Sequence, residues 1–230
     1  NREGALGTVD VLGEEVSDPT KAEAAVDQYL ALLDRIDAEG LDANVSIKPT
    51  MLGLKIDEEL CRDHVRTIVA HAADLGNFVR IDMEDHSCTD ATLRIYRDLH
   101  RQHPASVGVV LQSYLHRTMA DINQLLSLSP NIRICKGIYR EPRAIAWQDF
   151  DTVRANFVAT MEKLLSEGAY VGIATHDHYL VCAGMNAVDR LGLERDRYEF
   201  QMLLGVDPQL RQIILGAGHR LRVYVPFGRD

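Results

Sequence analysis

The chain has 230 residues, enough for one large core or two small ones, and at 46% hydrophobic and 26% charged its composition is ordinary for a globular protein. Its formal net charge is −9, with a pI near 5.5, and no Lys/Arg block offsets it, which argues against nucleic acid as a partner. No apolar run of about 18 residues and no basic region leading into an apolar stretch are found, so neither a spanning helix nor a signal peptide is expected, while peripheral contact with the inner membrane face stays open.

Short β-branched runs alternate with longer segments of helical period. The first run, Thr8 to Leu12, precedes Ser17-Asp18-Pro19, an N-cap followed by proline near the first helical position. The helix then shows Ala25, Tyr29, Leu32, Leu33 and Ile36 at helical spacing and ends at Gly40. The second run is Asn44 to Lys48, and Asp57 opens a helix that closes near Gly76. The third is Phe78 to Met83, with a helix from Thr89 to His103, and the fourth is Val107 to Leu111, with a helix from Thr118 to Leu128. The fifth is Ile132 to Cys135, followed by an irregular loop from Arg140 to Asp151 and a helix from Thr152 to Glu167. The sixth is Tyr170 to Ala174 with a helix from Tyr179 to Leu191, the seventh Tyr198 to Leu203 with a helix from Pro208 to Leu215, and the eighth Leu221 to Val225.

Repeated strand–helix alternation implies a parallel sheet, because parallel strands need crossover helices. Eight strands in this length predict an α/β fold of TIM type, a (β/α)8 barrel, with an open doubly wound sheet as the alternative. The expected eighth helix is absent from the chain as given, which stops at Gly228-Arg229-Asp230, so the natural protein is expected to continue, or its last helix to be disordered. The four cysteines, Cys61, Cys88, Cys135 and Cys182, form no C-x-x-C pair. They read as reduced thiols of a cytoplasmic chain, with Cys135 as a small core residue.

Barrel enzymes place their chemistry at the carboxyl ends of the strands. In order, those ends offer Glu14 and Glu15; Lys48; Asp82, Glu84 and Asp85; Gln112, Ser113 and Tyr114; Arg133, Lys136, Gly137 and Tyr139; Thr175, His176 and Asp177; Glu199 and Gln201; and Tyr224 and Arg229. Lys48 and Asp82 sit in apolar strands, and buried charges need partners, so a purely structural pair is one reading and a functional pair the other. Arg133, inside Ile-Arg-Ile-Cys-Lys, points at something anionic or electron-rich. Gly137 lets backbone approach a ligand, or simply makes a turn. Thr175-His176-Asp177-His178 holds two histidines on one face, but lacks a third and fourth ligand at metal-like spacing, so no metal is expected. Lys48 or Lys136 could serve a Schiff-base aldolase, and a non-catalytic binding barrel is a further alternative. No G-x-G-x-x-G follows a strand, so a dinucleotide would not be held by that motif.

The segments Val9-Asp10-Val11-Leu12-Gly13-Glu14, Val45-Ser46-Ile47-Lys48, Arg80-Ile81-Asp82-Met83-Glu84-Asp85, Leu111-Gln112-Ser113-Tyr114, Arg133-Ile134-Cys135-Lys136-Gly137-Ile138-Tyr139, Ala174-Thr175-His176, Tyr198-Glu199-Phe200-Gln201 and Tyr224-Val225-Pro226-Phe227-Gly228 resemble, in order, those of the proline dehydrogenase family. The resemblance covers nearly the whole chain and looks closest to the single-function bacterial enzymes. It implies one distorted barrel domain over residues 1–230 with noncovalent FAD at its carboxyl face, L-proline as substrate and a quinone as electron acceptor. By matching positions, Arg133 would lie near the flavin N5, and Met83, Gln112, Lys136, Gly137, Ile138, Thr175, His176 and Gln201 would also contact the cofactor. Lys48, Asp82, Tyr139, Leu203 and Tyr224 would frame proline, with Lys48, Asp82 and Arg133 as the catalytic set. Glu14 resembles a gate residue that pairs with an arginine on the last helix. Two departures are Ile138, where the family commonly has alanine, and the absent eighth helix, which in the family carries two arginines that clamp the substrate carboxylate. Without that clamp, weak binding of proline by the chain as given is expected. The oligomeric state is not implied.

Overall fold

A computed structural model of the protein describes residues 4–228; Arg229, named above at the eighth strand end, lies outside the described residues. Eight strands pair in sequence order as a closed barrel: β1 (Leu6–Val11), β2 (Ala43–Ile47), β3 (Val79–Ile81), β4 (Val107–Gln112), β5 (Asn131–Cys135), β6 (Tyr170–Ala174), β7 (Tyr198–Leu203) and β8 (Leu221–Phe227). The pairings of β1 to β4 and of β5 to β7 are parallel. The open-sheet alternative is thereby excluded. Between the strands run α1 (Pro19–Ala38), α2 (Glu58–Asp74), α3 (His86–Gln102), α4 (Thr118–Leu125), α5 (Phe150–Ser166), α6 (His178–Arg190) and α7 (Pro208–Gly216). None of the described helices is long and apolar enough to cross a membrane.

Six of these seven helices begin on an aspartate. The carboxylates of Asp18, Asp57, Asp85, Asp149, Asp177 and Asp207 each accept a backbone N–H of the first turn at 2.8–3.1 Å. Each such cap is worth about 1 kcal/mol. Part of the acidic composition is therefore helix punctuation. The exception is α4, whose N-cap residue Arg117 makes no side-chain capping bond and instead pairs through its guanidinium with Asp121 in the first turn at 2.7 and 3.1 Å.

The chain forms two compact units. In the first, residues 7–109 and 224–228, α1 buries Ala22, Ala25, Val26, Tyr29, Leu33 and Ile36, and α2 buries Cys61, Val65, Ile68, Val69 and Ala72. This three-and-four spacing is one apolar stripe per helix, and each fully buried large aliphatic contributes about 1.5–3 kcal/mol. In the second, residues 4–6 and 110–223, α5 buries Phe157, Thr160, Met161, Leu164 and Leu165, and α6 buries Leu180, Val181, Gly184, Ala187 and Val188. The loop before α5 is tied to β4's end by an isolated bridge between Leu115 and Ala146.

Candidate functional site

In the first unit, a lone acid in the apolar run of β1 meets the lone base that follows β2. Lys48 Nζ lies 2.5 Å from Asp10 Oδ2, and both side chains are largely enclosed. Burial raises the Asp10 carboxyl above its ordinary value, the neighbouring Lys48 ammonium works against that, and the charge of Asp82 adds to it. Asp82, just past β3, accepts a hydrogen bond from the Tyr224 hydroxyl at 2.9 Å, across 142 positions of sequence. The carboxylate held by Lys48 is therefore that of Asp10, a residue to which the sequence reading assigned no role. Its only signal was the same as that of Lys48, one charge in an otherwise apolar strand.

Glu84, Asp85 and Glu15 serve the scaffold. Glu84 is buried and takes both the backbone N–H of Thr50 (2.8 Å) and its hydroxyl (2.5 Å), so it holds the loop after β2. Burial raises its carboxyl. Asp85 caps α3, and Glu15 accepts from Lys55 at 2.5 Å. Glu14 is exposed past the end of β1, and Met83 is buried.

In the second unit, Arg133 on β5 is 6% exposed, and its Nε donates to Gln201 Oε1 on β7. Gln201 Nε2 donates to Glu199 Oε1 at 2.5 Å, and Glu199 also accepts from Arg222 Nε at 2.7 Å and from the Tyr170 hydroxyl at 2.9 Å. A guanidinium has only donors and a carboxylate only acceptors, so the glutamine amide between them has one satisfied orientation. Losing one partner of the Glu199–Arg222 pair would cost about 3–5 kcal/mol.

After β5, Lys136 Nζ reaches Asp177 Oδ2 at 3.1 Å, and Arg154 binds both oxygens of that carboxylate at 2.8 Å. The Arg154 fork beside Asp177 holds its carboxyl down at about 2. Phe150 lies beneath both cations, 5.1 Å from Lys136 Nζ and 4.2 Å from the Arg154 guanidinium. Gly137 has φ +112°, and a Cβ there would stand 2.2 Å from the Tyr114 ring. The close neighbour that requires glycine is thus Tyr114, whose backbone N–H and hydroxyl bond the carbonyls of Lys136 and Tyr139 at 2.9 and 3.3 Å. Ile138, between them, is 87% exposed.

Thr175 and Gln112 are buried, and Leu203 is exposed. His176 Nε2 accepts the Leu203 backbone N–H at 2.8 Å, and burial lowers its pKa. His178, read as a loop residue, is the first residue of α6 and bonds Asp207 at 2.8 Å. The two histidines thus have separate partners, and no described group of three or more His, Cys, Asp or Glu could hold a metal. Among the cysteines, all free, Cys135 is only partly buried and so is not the core residue expected.

These strand ends can be set beside known proteins. A family model described as proline dehydrogenase matches residues 1–230. A protein named proline dehydrogenase from Deinococcus radiodurans is 38% identical over 233 residues, spanning all of this chain and 75% of its own. One named proline dehydrogenase 1 from Bacillus subtilis is 35% identical over 230 residues, spanning 100% of this chain and 76% of its own. Among solved structures, proline utilization A from Bdellovibrio bacteriovorus inactivated by N-propargylglycine superposes with a TM-score of 0.90 at 22% identity, and a mutant of the Bradyrhizobium japonicum protein with 0.86 at 19%. This chain is covered to 99% and 98% but spans only 29% and 27% of those chains, so at these identities they show the fold alone. The whole-length family match, with relatives above one-third identity along the entire sequence, makes this chain a member of the proline dehydrogenase family.

Proposed function

We propose that residues 1–230 act as one proline dehydrogenase domain that oxidises L-proline to Δ1-pyrroline-5-carboxylate with FAD, the electrons passing to a quinone. The observation that carries this reading is the whole-length kinship to proteins named proline dehydrogenase. The second unit's donor set fits the cofactor. A buried guanidinium within β5, with a glutamine amide, a lysine and a threonine hydroxyl at the ends of β4, β5 and β6, is suited to flavin carbonyls and a diphosphate. Arg133, Lys136, Gly137, Ile138, Gln112, Thr175, His176, Gln201 and Met83 are the proposed cofactor contacts. When bound, the flavin supplies acceptance of a hydride from the proline ring carbon next to nitrogen.

The chain's own residues then bind, orient and stabilise. Lys48, Asp82, Tyr139, Leu203 and Tyr224 are the proposed proline contacts. The amine must lose its proton before hydride leaves, and Lys48 and Asp82 influence that step. Asp10 deepens the proposal: its buried carboxylate fixes Lys48 Nζ in place. Arg133 is the proposed cation beside the flavin N5, where negative charge develops. Glu14 is the proposed gate.

The test is anaerobic reduction of the bound flavin by L-proline in the wild type and in Arg133→Met. The variant should take up FAD and reduce it at least tenfold more slowly. Equal rates would remove Arg133 from its role.

A further inference from the structure

Gly172 lies in the middle of β6, and its backbone is not left-handed, so conformation does not call for glycine there. Space does. A Cβ on Gly172 would stand 2.7 Å from Gln201 Nε2 and 3.1 Å from its Cδ. In the strand register Arg133 pairs with Gly172 and Gly172 with Glu199, so one row across three strands reads Arg, Gly, Glu. Paired residues share a face of the sheet. Gln201, two positions beyond Glu199 on β7, shares that face as well. Its amide lies against the gap left by Gly172, with its oxygen on Arg133 Nε and its nitrogen on Glu199 Oε1.

The polarity of that amide depends on Glu199. A flipped amide would present a donor to a guanidinium and an acceptor to a carboxylate, two unmade bonds in an enclosed site at about 1–3 kcal/mol each. Glu199 is itself fixed by Arg222 and Tyr170. We propose that Gly172 and Glu199 are positioning residues for Arg133: glycine provides the space and the carboxylate the polarity that let Gln201 hold the guanidinium in one orientation toward the flavin. This rests on the flavin reading above.

The experiment is to load this chain and its Gly172→Ala and Glu199→Gln variants with FAD, and to measure the midpoint potential of the bound cofactor at saturation. FAD affinity follows from flavin fluorescence and folding from thermal melts. A guanidinium that loses its orientation stabilises the reduced cofactor less, so both variants should shift to lower potential. The expected loss is about tenfold in the reduction equilibrium, ~30 mV for a two-electron couple. Arg133→Met should set the limit of the shift. Loss of melting temperature with an unchanged potential in FAD-loaded variants would make the pair purely structural and overturn the proposal, leaving the flavin reading standing. Should Gly172→Ala not fold, Glu199→Gln, which keeps the side-chain volume, decides on the same criterion. A wild type that takes up no FAD would overturn the flavin reading itself, and this proposal with it.

Discussion

Replacing Gly137 with alanine tests how the segment after β5 is built. The residue has φ +112°, where a side chain costs about 1–3 kcal/mol, and its new Cβ would lie 2.2 Å from Tyr114 Cε1. Tyr114 is buried and anchored at both ends, through its backbone N–H to Lys136 and its hydroxyl to Tyr139, so the ring cannot simply swing away. Overpacking of this kind costs about 1–3 kcal/mol more. The sum is at least about 2 kcal/mol, which in a chain of this size lowers the melting temperature by at least about 4 °C. Gly168→Ala is the control, because φ is +79° there but nothing lies within 4 Å of the added carbon. Thermal melts followed by circular dichroism should show the larger fall in Gly137→Ala, and Tyr114→Leu in the same chain should restore part of it. If Gly137→Ala melts no lower than Gly168→Ala, the contact with Tyr114 does not explain the glycine.

Asp177→Asn keeps a good helix cap while removing the charge that Lys136 and Arg154 share. Because the Asp177 carboxyl is held down at about 2, its contribution is fully present above the ordinary aspartate value and is lost as pH falls toward 2. The variant should be less stable at pH 7 and lose less on acidification, and identical pH–stability curves would contradict the clamp. His176 has its pKa lowered by burial and must be neutral at Nε2 to accept the Leu203 N–H, so that bond holds above the ordinary histidine range and is lost as pH falls through the lowered value. Hydrogen exchange at the Leu203 amide should lose its protection on acidification, and in His176→Ala at any pH. Among the thiols, Cys182 is exposed while Cys61 and Cys88 are buried with their pKa values pushed up by desolvation. A thiol reagent should label Cys182 first and Cys61 only after denaturation, and fast labelling of Cys61 would contradict its burial.

Elements were legible where local chemistry alone decides them. Asp18-Pro19 marks the start of α1, and Tyr170–Ala174 is the strand expected, since a short β-branched run between a glycine turn and a cap has one reading. α3 begins at His86 rather than Thr89 because Asp85, at the polar end of the third strand, is the helix cap. An aspartate after a strand looks the same in either role. β3 is three residues long instead of six, although the Asp82 N–H still bonds the Ile47 carbonyl at 2.9 Å. The polar strand ends could be read one by one, but their pairing could not. Lys48 with Asp10, Asp82 with Tyr224 and Gln201 against Gly172 join residues up to 142 positions apart, and such partners follow from register and strand order. A glycine in a sequence gives no sign of which neighbour needs its missing side chain.

The most direct test of the central claim is a visible absorption spectrum of the purified chain incubated with FAD, taken without oxygen before and after saturating L-proline. Flavin bands that bleach on addition of proline, with formation of Δ1-pyrroline-5-carboxylate, are the predicted result. A protein that remains colourless, or a bound flavin that saturating proline leaves oxidised, would contradict it.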